Sequence, residues 1–548
     1  MLHGLMMDYQ LTVQHFLERA AKLYAKKEIA TKQGAHMHRY TYGDWAKRVN
    51  RLAGALKRLG VERGDRVGTL AWNNYRHYEA YLAVPCMGAV LHTLNLRLPL
   101  NQLAYIINHA EDKVILVDAT QAPINCLALL EKIKDQLTTV KQFVIMCDGP
   151  MPQTTLSPVA SYEELLAAES DHFDWPTLDE NEAAAMCYTS GTTGNPKGAL
   201  YSHRSLFLHS FGEGQANGVG INEADVLLPV VPMFHANAWG LPFTAAMVGA
   251  KMVFPGPHLG GPDLLNLIQT ERVTFAGGVP SIWVGILAEL DKNKYDLSSL
   301  RAMLVGGSAV PRAMLEAYQQ KHGVTILQAW GMTEMTPLGT VANLKSYMKE
   351  WPEEKQYDVR AKQGIPSAGV DIRAVDEAGN VVPWDGKTMG ELEVRGPWII
   401  SAYYKMEGSS DRFHDGWFRT GDVVTIDDEG YINITDRTKD LVKSGGEWIS
   451  SIDLENAIMS HPKVLEAAVI ALPHPKWQER PLALVVEKPD YKGQVTKDEI
   501  YAAIQSKFNK MWLPDDIVFI DAVPKTSVGK FDKKVLRDQF KEYQLPTV

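Results

Sequence analysis

The sequence predicts an α/β fold with largely parallel sheets, followed by a compact α+β unit at the C-terminal end. Three observations carry this. Up to about residue 390, short apolar runs alternate with longer amphipathic ones, the rhythm of βαβ units. Beyond that point the texture changes to alternating strands and a hairpin. The chain has 548 residues, and at roughly 100–200 residues per domain this allows two to four domains.

The elements follow in order. After the turn Glu62-Arg-Gly-Asp65, residues 67–71 read as a strand, 75–87 as a helix, 103–109 as a helix and 114–117 as a strand. Residues 273–276, 302–305 and 324–327 read as further strands. In such sheets, ligands meet loops at the carboxyl ends of the strands. Residues 391–395 alternate as a half-exposed strand does, and 421–435 read as a hairpin around Asp428-Glu-Gly430. Past the charged stretch Asp436-Arg-Thr-Lys-Asp440, a helix over 452–459 precedes strands over 467–471 and 482–487. A domain boundary near Asp436 follows.

Composition narrows the class. Apolar residues at 45% and charged residues at 22% describe a globular chain and argue against disorder. The net charge is −9 and the pI about 6.0, which argues against a nucleic-acid partner. Cys86, Cys126, Cys147 and Cys187 form no CxxC and no Cys/His ligand spacing, so neither a disulfide scaffold nor a structural zinc site is expected. Residues 1–8 lack the pattern of a signal peptide, and a cytoplasmic location is expected. Residues 226–250 carry no Lys, Arg, Asp or Glu and are long enough to span a bilayer. Pro229, Pro232 and Pro242, with His235 and Asn237, make a buried strand and loop the better reading, and no transmembrane segment is expected.

The strongest chemical signal is Tyr188-Thr-Ser-Gly-Thr-Thr-Gly-Asn-Pro-Lys-Gly198, entered from an apolar run at 183–187. Gly191, Gly194 and Gly198 permit backbone shapes closed to other residues, so N–H groups can converge on phosphate oxygens. Thr189, Ser190, Thr192 and Thr193 add hydroxyls and Lys197 adds charge. Pro196 before Lys197 breaks the GxxxxGK[ST] pattern of a P-loop ATPase. Glu334 after a Gly-containing turn is a hard oxygen ligand, or a solvated loop glutamate. Asp422 after Gly421 can accept two ribose hydroxyls, or stabilise its own turn. Gly306-Gly-Ser308 after a strand lets a flat base approach the backbone, or makes a tight turn. Lys530 alone reads as a surface lysine.

These segments together resemble the adenylate-forming superfamily of acyl-CoA synthetases, adenylation domains and luciferases. Residues 188–198 are similar to its phosphate loop. Gln328-Ala-Trp-Gly-Met-Thr-Glu334 is similar to its adenine and magnesium segment, and Trp417-Phe-Arg-Thr-Gly-Asp422 to its ribose segment. Asp436 to Trp448 resembles its hinge and following loop, and Pro524-Lys-Thr-Ser-Val-Gly-Lys530 its catalytic-lysine loop. The five segments keep the family's order across essentially the whole chain.

The resemblance implies a large multi-subdomain N-terminal domain (1–435) of parallel-rich sheets flanked by helices with a small β-barrel-like part. A hinge (436–441) about Asp436 and a small mobile α+β C-terminal domain (442–548) follow. It implies an ATP-dependent acid–CoA ligase with Mg²⁺ and CoA, working through acyl-AMP with release of pyrophosphate. The implied catalytic residues are Lys530, His235 and Glu334. ATP or AMP contacts fall on Thr189, Ser190, Gly191, Thr192, Thr193, Gly194, Lys197, Gly307, Ser308, Gln328, Ala329, Trp330, Gly331, Thr333, Asp422, Arg437, Lys439 and Lys443. Glu334, Thr189 and Ser190 would face the metal. The loop Ser444, Gly445, Gly446, Glu447 and Trp448 would meet CoA.

His235, Trp239, Gly278, Val279, Met332 and Pro337 would line a mostly apolar acyl pocket, which suits an alkyl chain. Trp239 resembles a gating tryptophan of long-chain synthetases, though it also reads as a core residue. The pattern is most similar to bacterial medium- and long-chain fatty acyl-CoA synthetases and to methylmercaptopropionate-CoA ligases. The acid is therefore a medium- or long-chain fatty acid, with 3-methylmercaptopropionate or another small acid as the alternative. Trp330 stands where a tyrosine commonly stacks on adenine. Long-chain relatives imply a homodimer. Carrier-protein loading and luciferase-like oxygenation remain rivals within the fold.

Overall fold

The computed structural model describes residues 1–189, 195–406, 411–445, 447–526 and 531–547. Two extended sheets dominate. One has nine strands, of which six neighbours run parallel: Thr325–Gly331, Ala302–Val305, Phe275–Gly278, Val226–Pro229, Lys251–Phe254 and Glu28–Gln33. Antiparallel strands close its two edges. The other sheet has seven strands, all parallel except the last pair, Ala183–Tyr188 with Gly198–Ser202.

This is the parallel-rich architecture expected from the alternating pattern. The predicted strand at 302–305 is Ala302–Val305, and the strand at 324–327 runs on to Gly331. The helix expected at 75–87 is Tyr75–Cys86, started by Asn74, whose side chain accepts the His77 N–H. Residues 226–250 form a buried strand, a short turn and the helix Leu241–Val248, as the prolines demanded. Among the described residues no helix is long and apolar enough to cross a membrane. All four cysteines are buried and unpaired.

A smaller five-stranded antiparallel sheet stands where the β-barrel-like part was expected. It comprises Asp371–Val375, Gly390–Arg395, Phe413–His414, Trp417–Ile426 and Ile432–Arg437. The hairpin between its last two members turns at Gly430, where φ is 81°. The C-terminal unit pairs Val464–His474 with Gln478–Glu487. Asp516–Phe519 runs parallel to Gln478–Glu487, and Val442–Ser444, itself paired with Glu447–Ile449, joins the same strand at Gln478. Helices Ser451–Met459 and Lys497–Ile504 cover one apolar face, and Lys533–Gln539 the other.

The two parts meet at Asp436. It lies in the strand Ile432–Arg437, opposite Val423. Its carboxylate accepts the N–H of Arg437 and that of Ser451, each at 2.7 Å. One side chain thus joins the last strand of the larger part to the first helix of the smaller one.

Candidate active site

The neck of the phosphate loop is closed by two bonds. The Thr189 N–H donates to the Lys197 carbonyl at 2.9 Å, and the Lys197 N–H to the Thr189 hydroxyl at 3.3 Å. Ser190, Gly191, Thr192, Thr193 and Gly194 lie outside the described residues, as do Gly446 and Lys530. Lys197 extends over the ring of Tyr403, 4.8 Å from its centroid. The Tyr403 hydroxyl donates to Glu334 Oε1 at 2.8 Å. Tyr403 therefore brings together the expected phosphate cation and the expected metal carboxylate. Burial and the Glu334 carboxylate raise its hydroxyl pKa, so it remains a donor at neutral pH.

Glu334 and Thr333 are themselves buried. Their backbone is anchored on both sides: the Tyr201 hydroxyl donates to the Thr333 carbonyl at 2.6 Å, and the Ile400 N–H to the Glu334 carbonyl at 2.9 Å. Gly331 is demanded by the fold of this loop, since a β-carbon there would sit 2.0 Å from the Pro337 carbonyl oxygen. Among the described residues no cluster of three or more His, Cys, Asp or Glu could hold an ion alone. A buried lone carboxylate suits Mg²⁺, which is held by one or two carboxylates together with substrate phosphate oxygens.

The expected ribose aspartate is similarly fixed. Asp422 is 2% exposed; its Oδ2 accepts the Trp330 indole N–H at 2.8 Å, and its Oδ1 faces Arg437 Nε at 3.1 Å. Trp330 thus does more than offer a ring: it orients Asp422. Each carboxylate oxygen keeps a further acceptor site for a ribose hydroxyl. The Trp330 ring lies against Gly339, where a β-carbon would approach it to 2.6 Å. Ala329 is half-buried beside it, in the same strand. Gly307 (φ 89°) and Ser308 are exposed at the carboxyl end of Ala302–Val305.

Some expected contacts are engaged elsewhere. Gln328 is 1% exposed. Its Oε1 accepts the Val310 N–H at 2.8 Å and its Nε2 donates to the Ala361 carbonyl at 2.9 Å, so its amide braces the loops around the strand. Lys443 pairs with Glu377 at 3.1 Å and lies over the Trp448 ring, apart from the Asp422 cluster. The buried Ser444 hydroxyl accepts from Arg480 at 3.0 Å. Gly445, at φ 60°, leaves space for Trp477, and Glu447 begins the returning strand. Lys439 is exposed in the turn after Arg437.

The acyl side departs most from expectation. Ala236, Asn237, Ala238 and Trp239 have φ of 44°, 54°, 51° and 60°, and Gly240 of 85°. Four consecutive non-glycine residues are thus left-handed, at a cost of roughly 1–2 kcal/mol each. Buried polar contacts hold the turn. The Asn237 amide donates to the Tyr81 hydroxyl and accepts from the Cys187 thiol, both at 3.4 Å.

The turn presents half-buried His235 at one end and Trp239 at the other. The indole lies beside Gly277 and Gly306, 3.9 and 3.7 Å from where their β-carbons would be. Gly278 faces the opposite way, toward Trp283, as alternation along a strand requires. Val279 follows at the start of the helix Pro280–Leu290. Met332 and Pro337 are held together by the Met332 N–H donating to the Pro337 carbonyl at 3.0 Å.

Sequence reasoning missed Tyr403, Arg480 and the left-handed turn. Nothing in Ser401-Ala-Tyr-Tyr404 distinguishes Tyr403. For the turn, only Asn237 and Gly240 are residues that tolerate positive φ.

Comparison with known proteins shows the family. The model for AMP-binding enzymes matches residues 17–404, and that for the AMP-binding enzyme C-terminal domain matches 453–530. A long-chain-fatty-acid–CoA ligase of Thermus thermophilus is 48% identical, covering 98% of this chain and 97% of that one. A 3-methylmercaptopropionyl-CoA ligase of Ruegeria lacuscaerulensis is 46% identical, covering 98% and 99%. The solved structure of the anthranilate CoA ligase AuaEII with anthranoyl-AMP superposes with a TM-score of 0.84 at 25% identity, covering 97% and 98%.

Proposed function

The chain belongs to the AMP-binding enzyme family, and on that premise we propose which acid it takes and how its own residues carry the two steps. It is an AMP-forming acyl-CoA synthetase. The acid is a medium- or long-chain fatty acid. The observation that supports this choice is the acyl side itself: an indole lying along glycine-edged strands, within a segment free of charged side chains. Such a surface accepts an alkyl chain and offers no partner to a second carboxylate.

A carboxylate resists a thiol because its carbonyl is electron-rich. In the first step a carboxylate oxygen attacks the α-phosphorus of ATP, and pyrophosphate leaves. This in-line displacement depends on positioning and charge stabilisation. Thr189 and Lys197 hold phosphate oxygens, Asp422 and Arg437 the ribose end, and Trp330 the base. Gly307 and Ser308 border the base, and Lys439 adds charge nearby. Lys530 balances charge on the carboxylate and α-phosphate. Mg²⁺, when bound, neutralises phosphate charge, and Glu334, with Thr189 and Ser190, would hold it.

In the second step the CoA thiol attacks the acyl carbonyl and AMP leaves. Rotation about Asp436 brings the 443–448 loop to the adenylate, and Lys443 exchanges Glu377 for the nucleotide. His235 orients the carboxylate or the thiol. The homodimer and cytoplasmic placement belong to the same proposal; light scattering of the purified protein tests the first.

A second reading, a ligase for 3-methylmercaptopropionate or another small acid, is favoured by the position of Trp239, which occupies the space beside Gly277 and Gly306. Linear acids of increasing length and methylmercaptopropionate, assayed for pyrophosphate and thioester, separate the two. Octanoate far ahead supports the fatty-acid reading, and the reverse order supports the second. ADP formation, or turnover independent of acid, overturns both.

A further inference from the structure

Beneath the left-handed turn lies a buried pair that the steps above do not use. His209 and Glu213 stand four residues apart on the helix His203–Gly214, hence on one face. Each is 1% exposed. A β-carbon at Gly240 would lie 2.5 Å from His209 Cε1, 2.7 Å from its Nδ1 and 3.2 Å from Glu213 Oε2. The last residue of the turn therefore rests directly on the pair.

His209 reaches a second element. Its Nε2 accepts the Leu338 N–H at 3.1 Å, which places the ring proton on Nδ1. Leu338 follows Pro337 in the loop that carries Glu334, and its carbonyl accepts the Trp398 indole N–H at 2.8 Å. Glu213 reaches a third element: its Oε2 accepts the hydroxyl of Thr244, in the helix that starts immediately after Gly240. Glu213 Oε1 has no hydrogen-bond partner among the described residues.

We propose that His209 and Glu213 are positioning residues for the acyl half of the site, joining the turn that bears His235 and Trp239 to the loop that bears Glu334 and Pro337. This rests on the reading that His235 and Trp239 line the acyl pocket. His209 is uncharged at neutral pH, as the acceptor role of its Nε2 requires, and Glu213 keeps its proton because burial disfavours its charge. Burial drives the His209 pKa down to about 3 and that of Glu213 up to about 8, the Thr244 bond opposing the latter. The elements packed on Glu213 offer it a backbone at Gly240, a hydroxyl at Thr244 and the neutral His209 ring. The two residues differ in reach: Glu213 braces only the acyl side, while His209 braces both sides.

The test is steady-state kinetics on the full-length protein, with wild-type turnover of the acid panel scored first so that failure of the acyl-pocket reading is seen separately. Glu213→Ala is expected to raise KM for the acid about tenfold or more, with KM for ATP within about twofold, because misplacement by a fraction of an ångström costs binding geometry. Glu213→Gln, neutral and of equal size, restores the acid KM. It also flattens the loss of kcat/KM for the acid above about pH 8. His209→Ala raises both KM values. Thr244→Val, which keeps the shape and removes the hydroxyl, repeats the acid-only effect of Glu213→Ala, with its melting temperature recorded beside both KM values. Equal shifts in both KM values for Glu213→Ala and Thr244→Val, or lowered melting temperatures with both KM values unchanged, overturn the proposal.

Discussion

The expected nucleotide side and the expected acyl side of the site are built on different principles. On the nucleotide side, among the described residues, side chains converge: Tyr403 on Glu334, Trp330 and Arg437 on Asp422. On the acyl side the side chains are few and the backbone does the positioning, through a left-handed turn held by Tyr81, Cys187, His209 and Glu213. The nucleotide side should therefore respond to loss of a functional group, and the acyl side to loss of a backbone conformation.

The largest expected effect is Lys530→Ala. Acyl-AMP formation should fall at least about 100-fold, as removal of a group that stabilises developing charge does. Thioester formation from supplied acyl-AMP should be largely kept. Half-reaction assays check this, and equal loss of both steps would remove Lys530 from the first.

Gly240→Ala tests the backbone principle. It sets a β-carbon against His209 at a φ of 85°. We expect a stability loss of about 2 kcal/mol or more, combining left-handed strain with the clash. The acid KM should rise more than the ATP KM. Thermal melts with both KM values check it.

Trp330→Phe tests the side-chain principle. The ring is kept and the N–H to Asp422 is lost, so KM for ATP should rise by about tenfold to a hundredfold, the worth of one hydrogen bond to a charged group. An unchanged acid KM would sharpen the division between the two sides, and a matching rise would blur it.

A further effect is on stability against pH. In the folded protein Glu213 titrates near pH 8, against an ordinary value of 4.5. Between these values the folded state holds a proton that the unfolded chain has released, so stability falls as pH rises through that window. Glu213→Gln removes this dependence. Its melting temperature relative to wild type should climb from pH 5 to pH 8 and level off above. A constant difference would show that Glu213 is ionised when folded.

Much of this was legible in the sequence because it depends on local order. The alternation of strands and helices, the glycine- and hydroxyl-rich loop after 183–187, and Asp422 after Gly421 each carry their meaning within a dozen residues. Local helix and strand rules also placed the main elements, since periodicity and caps act over one or two turns. Gln328 looked like a ligand contact from its segment, and its amide also braces Val310 and Ala361, residues distant in sequence from each other.

By itself, the sequence determined the chemistry. The ordered segments resemble those of the adenylate-forming superfamily, and that resemblance, more than any one segment, named the reaction. Only the tertiary structure decided how the side chains of those segments are aimed. Tyr403 reaches Glu334 across 69 residues, Trp330 reaches Asp422 across 92, and His209 reaches Leu338 across 129. The left-handed turn at Ala236–Trp239 was beyond local rules altogether. Two alanines and a tryptophan prefer right-handed backbone, and only surrounding buried contacts hold them otherwise.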